Sequence, residues 1–295
     1  MNLEAWLTQQ LETGIRAVRR QPYAYRTSFA IEELDVELED GSTVGLLLKQ
    51  LDRSALAEHT RAAKPELVHD ARREIEAYRV LADEGLGAPR CYGALVDSDG
   101  AWLLLERVAG LELWQVGELE VWEAVARWLR RLHDRFAGRP PGSSSLLRHD
   151  AGFYRVWAER ARAHVGAAVE PALERYDPVV ERLTALPRSF IHGELYASNV
   201  IVQVNGGVRV APVDWEMAAV GPGLVDLAAL TTGWGERERR EIVRAYGVVD
   251  PTDLDCCRLQ LALQWLGWSR DWRPPPEHAR DWLGEALEVA ERLEL

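Results

Sequence analysis

Leu3, Trp6, Leu7, Leu11, Ile15 and Val18 recur at intervals of three and four residues, a spacing that predicts one amphipathic opening helix. The period then drops to two. Phe29 and Ile31 alternate with polar neighbours, and Leu34, Val36 and Leu38 do so in the opposite phase, which predicts a strand bulged near Glu32 and Glu33. Asp40 and Gly41 suit a hairpin turn, and VGLLLKQL, residues 44–51, reads as the returning strand. A helix is expected from about Pro65 to Glu84. Short strands around Ala94 and from Trp102 to Val108 follow, joined by a turn at Asp97 to Gly100. Together these segments predict a small, mostly antiparallel sheet with one helix.

Beyond Gly110 the pattern turns helical, with helices expected at 118–137, 151–166 and about 171–185. GRPPGSSS, residues 138–145, has the composition of a flexible surface loop. One hairpin, NVIVQVNGGVRVAPVDWE at 199–216, interrupts this half before helices resume to the end. No internal repeat or low-complexity block appears.

Composition narrows the function classes. The 295 residues are 47% hydrophobic and 28% charged, ordinary for a globular protein of one or two domains. MNLEAWLTQQ has neither the basic start nor the apolar run of a secretion signal, and no stretch approaches the roughly 18 apolar residues of a membrane span. A cytoplasmic address is expected. A formal charge of −12 disfavours nucleic acid and anionic membranes as partners, and it suits either simple solubility or a cationic small substrate. Cys91, Cys256 and Cys257 suggest neither a disulfide framework nor a CxxC metal site. Of 35 basic residues only Lys49 and Lys64 are lysine, which draws attention to both.

Two constellations carry chemistry. Lys49 stands in an apolar strand with Leu47 and Leu51 on its own face, so its ammonium needs a partner. Leu67, Ala71, Tyr78 and Leu81 form one stripe of the following helix, and Glu74 completes it, whereas Glu76 sits with Arg72, Arg73 and Arg79 on the solvent side. An ion pair between Lys49 and Glu74 is expected, the plainer alternative being that both snorkel to water independently. In the later hairpin, a two-residue turn at Gly206–Gly207 places Asn199 opposite Asp214, and a turn at Asn205–Gly206 makes them diagonal neighbours. Either register gathers an amide oxygen and a carboxylate, with Glu194 five residues upstream of Asn199, as a hard cation such as magnesium requires. A polar strand end that merely satisfies its own backbone is the plainer reading. Other motifs fail: HxE lacks the PCxxC of zinc deaminases, GxxxxGK[ST] is absent, and GPGLVD puts Asp226 where a dinucleotide fingerprint needs glycine or alanine.

The order lysine strand, glutamate helix, HGELYASN, VDWE and GPGLVDLAAL resembles the aminoglycoside phosphotransferase and choline kinase group of small-molecule kinases. The resemblance covers nearly the whole chain. It implies an α+β, two-lobed protein-kinase-like fold, with a nucleotide-binding lobe of small antiparallel sheet plus helix at 1–108. A mainly helical lobe at 109–295 would carry the catalytic loop, metal site and substrate pocket. It implies ATP and Mg2+ as cofactors and transfer of phosphate to a hydroxyl of a small molecule. Lys49 would hold the nucleotide's α and β phosphates and Glu74 would orient it; the hinge backbone near Glu106 and Val108 would take adenine. Asn199 and Asp214 would bind magnesium, Asp226 would brace the loop, and His192 would be structural. Two departures stand out. Glu194 occupies the position of the group's catalytic aspartate, and YAYRTSF, residues 23–29, has no glycine where a phosphate-covering loop is expected, although Ser28 lies within it. Glu194 therefore leaves open a pseudokinase, a nucleotide-binding or scaffold protein with impaired catalysis.

Overall fold

In the computed structural model, which describes residues 2–23, 29–56, 61, 64–82, 84–97, 100–174, 176–204, 206–268 and 279–294, the first departure from the sequence pattern comes at Glu12. Helix α1 (Leu3–Leu11) ends there in a left-handed backbone, and Ile15–Pro22 form strand β1 in place of the expected helical continuation. Gly14 weakens a helix, Ile15 and Val18 are β-branched, and β1 gains an antiparallel ladder with β2 (Ile31–Leu38). Ion pairs Arg16–Glu37 (2.8 Å) and Arg20–Glu32 (2.7 Å) join the same two strands.

With β3 (Thr43–Gln50), α2 (Ala71–Leu81), β4 (Cys91–Asp97) and β5 (Gly100–Glu106), the chain builds a five-stranded antiparallel sheet in the order β1-β2-β3-β5-β4. No bulge interrupts β2 near Glu32 and Glu33 where it pairs with β3. Their register runs unbroken from Ile31 opposite Lys49 to Glu37 opposite Thr43. The two apolar phases of the sequence are instead the two faces of one strand. Leu34 and Val36 pack with Leu46, Leu48 and Leu104 against Trp6 and Leu7 of α1, and Ile31 shares the other face with Lys49.

Helix α2 is shorter than expected because the Asp70 side chain accepts the Arg72 N–H at 2.8 Å and caps it; only a 3₁₀ turn, Glu66–Val68, precedes it. Arg73 is buried, contrary to its expected solvent position. Its guanidinium donates to the carbonyl oxygens of Val68 (2.7 Å), Ser145 (2.8 Å) and Glu216 (2.9 Å), which repay the desolvation.

The second half contains β6 (Leu111–Glu112), α3 (Leu119–Phe136), β7 (Leu147–Arg148), α4 (Ala151–Val165), α5 (Glu170–Leu173), α6 (Tyr176–Ala185), β8 (Arg188–Ile191), β9 (Val200–Val204), β10 (Val208–Pro212), β11 (Ala219–Pro222), α7 (Leu224–Leu230), α8 (Glu236–Tyr246), α9 (Pro251–Gly267) and α10 (Trp282–Arg292). The β9–β10 hairpin is accompanied by strands the pattern did not announce. β6 adds to β9, and β7, β11 and β8 form a separate sheet, from segments of two to four residues that are too short to show a period. Trp265 stacks on Trp282 (5.0 Å, 5°) and Trp268 leans on Trp157 (5.6 Å), so both rings pack against the helical core. Trp272, which continues the helical spacing of Trp265 and Trp268, lies outside the described residues with its neighbour Asp271, as does Ser28. Cys256 and Cys257 are buried and all three cysteines are free. Among the described residues, no helix is long and apolar enough to cross a membrane.

Candidate active site

Strand β3 and helix α2 bring together the pair expected from the face and stripe analysis: Lys49 Nζ lies 2.7 Å from Glu74 Oε2, and both side chains are buried. A third group joins them. Lys49 Nζ also donates to Asp214 Oδ1 at 2.6 Å, across 165 positions of sequence. Burial works to lower the Lys49 pKa, but Asp214 and Glu74 overcome it and hold the ammonium charged, well above the ordinary lysine value. Burial likewise pushes the Glu74 carboxyl up, partly offset by Lys49. Asp214 is held below the usual carboxylate range because Lys49 outweighs its burial.

Asp214 reaches Lys49 by a route neither sequence register foresaw. Val208 pairs with Val204, a register between the two expected ones, with Asn205 of the turn outside the described residues, and the Val213 N–H donates to the Asn199 carbonyl at 2.9 Å. Asn199 therefore faces Val213, and Asp214 stands one step beyond. A one-residue shift moves a strand's side chains to the other face. Asp214 escapes that alternation because its backbone is left-handed (φ 63°, ψ 60°), a conformation aspartate tolerates better than most residues.

The loop between β8 and β9 is fixed from beneath. Asp226, fully buried at the start of α7, accepts the His192 N–H (2.7 Å) and the Gly193 N–H (2.8 Å), and lies 3.3 Å from His133 Nε2. These partners, above all His133, keep Asp226 ionised below the usual range despite its burial. Gly193 has φ +84°, and a Cβ there would come within 2.2 Å of the Met217 carbonyl oxygen. His192 is neutral by burial; its Nε2–H donates to Val213 O (2.9 Å), and its Nδ1 accepts from the Glu194 N–H (3.3 Å). Glu194 Oε1 accepts from Gln264 Nε2 at 3.3 Å, and Asn199 Nδ2 donates to the Glu194 carbonyl at 2.9 Å. Burial, with Glu216 and Asp214 nearby, pushes the Glu194 carboxyl up to about 8.

Glu106 is committed elsewhere. Its carboxylate takes two bonds of 2.7 Å from Arg209 and its N–H donates to Arg90 O, while the Arg107 N–H donates to Gly45 O. The Val108 N–H is the backbone donor of this stretch that has no partner among the described residues. Sequence reasoning missed Glu216 and Gln264 as members of the site. Glu216 follows Asp214 by two and could have been read from VDWE, but an amide on the apolar α9 gave no signal.

The Phosphotransferase enzyme family profile matches residues 15–259. The chain belongs to this family. Solved structures of similar fold include aminoglycoside phosphotransferase APH(3'')-Id from Streptomyces rimosus in complex with ADP and streptomycin (19% identity, TM-score 0.59, covering 91% of this chain and 100% of that one). Choline kinase from Cryptosporidium parvum (14%, 0.60, 94% and 88%) and spectinomycin phosphotransferase APH(9)-Ia in complex with ADP and spectinomycin (13%, 0.60, 99% and 97%) are also similar. At these identities the likeness establishes the two-lobed, protein-kinase-like fold. A search of curated proteins finds no significant match.

In this phosphotransferase, Asp226→Ala is expected to destabilise the fold by about 3–5 kcal/mol, because it strips the buried His192 and Gly193 amides of their acceptor. Urea unfolding checks this; a loss under about 1 kcal/mol would show that the loop is held by other means.

Proposed function

We propose that the protein is an ATP- and magnesium-dependent O-phosphotransferase acting on a hydroxyl group of a small molecule. One observation carries the reading: Lys49 is held between Glu74 of the sheet-side helix and Asp214 beside the catalytic loop, so a charged ammonium is fixed where strand, helix and hairpin meet. Lys49 takes the α and β phosphates, with Glu74 fixing its position. The Val108 amide, at the boundary between the lobes placed at 108/109, takes the adenine edge.

The donor set fits magnesium. Asn199 spends its Nδ2 on the Glu194 carbonyl, which leaves the amide oxygen for a cation, and Asp214 is ionised. Among the described residues no three His, Cys, Asp or Glu side chains gather as a metal-holding group, which suits an ion that keeps water and phosphate as its other ligands. When bound, magnesium neutralises the charge that spreads over the transferring phosphoryl group. Glu194 orients the acceptor hydroxyl and receives its proton, and Gln264 steadies the carboxylate. The charge of −12 favours a cationic acceptor.

Screening purified protein for ADP release against hydroxylated metabolites and antibiotics tests the reading. Acceptor-dependent ADP release is expected, abolished by Lys49→Met. A melting temperature raised by ATP and magnesium without turnover on any acceptor would establish the pseudokinase, which the high proton affinity of Glu194 favours.

A further inference from the structure

Lys64, the chain's other lysine, is as buried as Lys49. Their ammonium groups stand over a single ring: Lys49 Nζ is 5.1 Å and Lys64 Nζ 4.9 Å from the centroid of Phe29. Each is paired with a carboxylate of the same short segment, Lys49 with Asp214 and Lys64 with Glu216, two residues apart on either side of Trp215. Lys64, Glu216, Glu74, Phe29 and His69 line a pocket beside the Lys49 site. Lys64 also lies close enough to draw down the proton affinities of Asp214 and Glu194.

The choice of residue is informative. Structural struts in this protein are arginines: Arg73 on three carbonyls, Arg209 on Glu106, Arg258 on Asp255 and Glu285. A planar guanidinium holds a fixed partner well, whereas an ammonium on a four-carbon arm is a compact charge that can change partners. Residues 23–29, where a phosphate-covering loop is expected, contain no glycine.

Resting on the ATP-dependent reading above, we propose that Lys64 is a second phosphate-directed cation of the nucleotide site, which leaves Glu216 for the terminal phosphate of ATP. Two ammonium groups then grip the triphosphate at different points, Lys49 nearer the sugar and Lys64 at the far end. The exchange leaves Lys64 paired throughout and confers preference for triphosphate over shorter nucleotides.

Calorimetric titration with AMP, ADP and ATP, without metal, tests this on wild type, Lys64→Met and Lys64→Arg. Lys64→Met is expected to weaken ATP by about ten- to a hundredfold, leaving AMP unchanged, with partial recovery in Lys64→Arg. The same comparison in a Glu216→Gln background, where no carboxylate is left unpaired, separates binding from folding. AMP and ATP weakening in parallel, or neither changing, would overturn the proposal and make the pair a structural latch. Failure of the wild type to bind ATP would instead remove the underlying nucleotide reading.

Discussion

Asp214→Asn is expected to lower turnover by about 10²–10³-fold at saturating ATP and magnesium, while nucleotide affinity changes far less. Asparagine preserves the shape of the side chain and accepts the left-handed backbone at this position, whereas alanine would add strain of about 1–2 kcal/mol to the lost carboxylate. The substitution removes the stronger of the charges that hold Lys49 and places an amide where the proposed magnesium site needs an anion. Steady-state ADP release, with circular dichroism to confirm the fold, provides the measurement. Activity within tenfold of wild type would take Asp214 out of the metal-binding role.

Glu194→Gln is expected to cost about 10²–10⁴ in turnover and at the same time to stabilise the metal-free, nucleotide-free protein. The carboxyl titrates near 8 in the folded chain and near the ordinary glutamate value of about 4.5 when unfolded. A raised carboxyl gives stability that is fully present below the unfolded value and is lost as pH rises through the folded one. Wild type should therefore weaken relative to Glu194→Gln by up to about 1.4 kcal/mol per pH unit between pH 4.5 and 8, and level off above. Melting temperatures of both proteins across this range check the stability half. Parallel curves would mean that the carboxylate is better solvated than its surroundings suggest. Such opposed effects on rate and stability are characteristic of a charge buried for function.

Much of the site was readable because it depends on local periodicity. Lys49 shares a face with Leu47 and Leu51 by strand alternation, and Glu74 falls on the stripe of Tyr78 and Leu81 by helical repeat, so their meeting required only that the helix cover the strand. Periodicity also misled. Leu11, Ile15 and Val18 continue a helical spacing, yet Gly14 and the ladder offered by β2 turn the chain into strand, since tertiary pairing outweighs a propensity difference of less than 1 kcal/mol per residue. Arg73 looked exposed because no local signal announces three distant carbonyls.

The amino-acid pattern by itself determined the two-part architecture, the ion pair of Lys49 with Glu74, and the order of motifs that makes this chain a member of the phosphotransferase enzyme family. Only the folded chain decided that Asp214 turns back to Lys49, that Gln264 abuts Glu194, and that Lys64 rests on Glu216. The difference is physical. Spacing along a helix or strand fixes which side chains share a face, but a hairpin's loop length and one left-handed residue set where its end points, and contacts across 70 to 165 positions exist only once the core has closed.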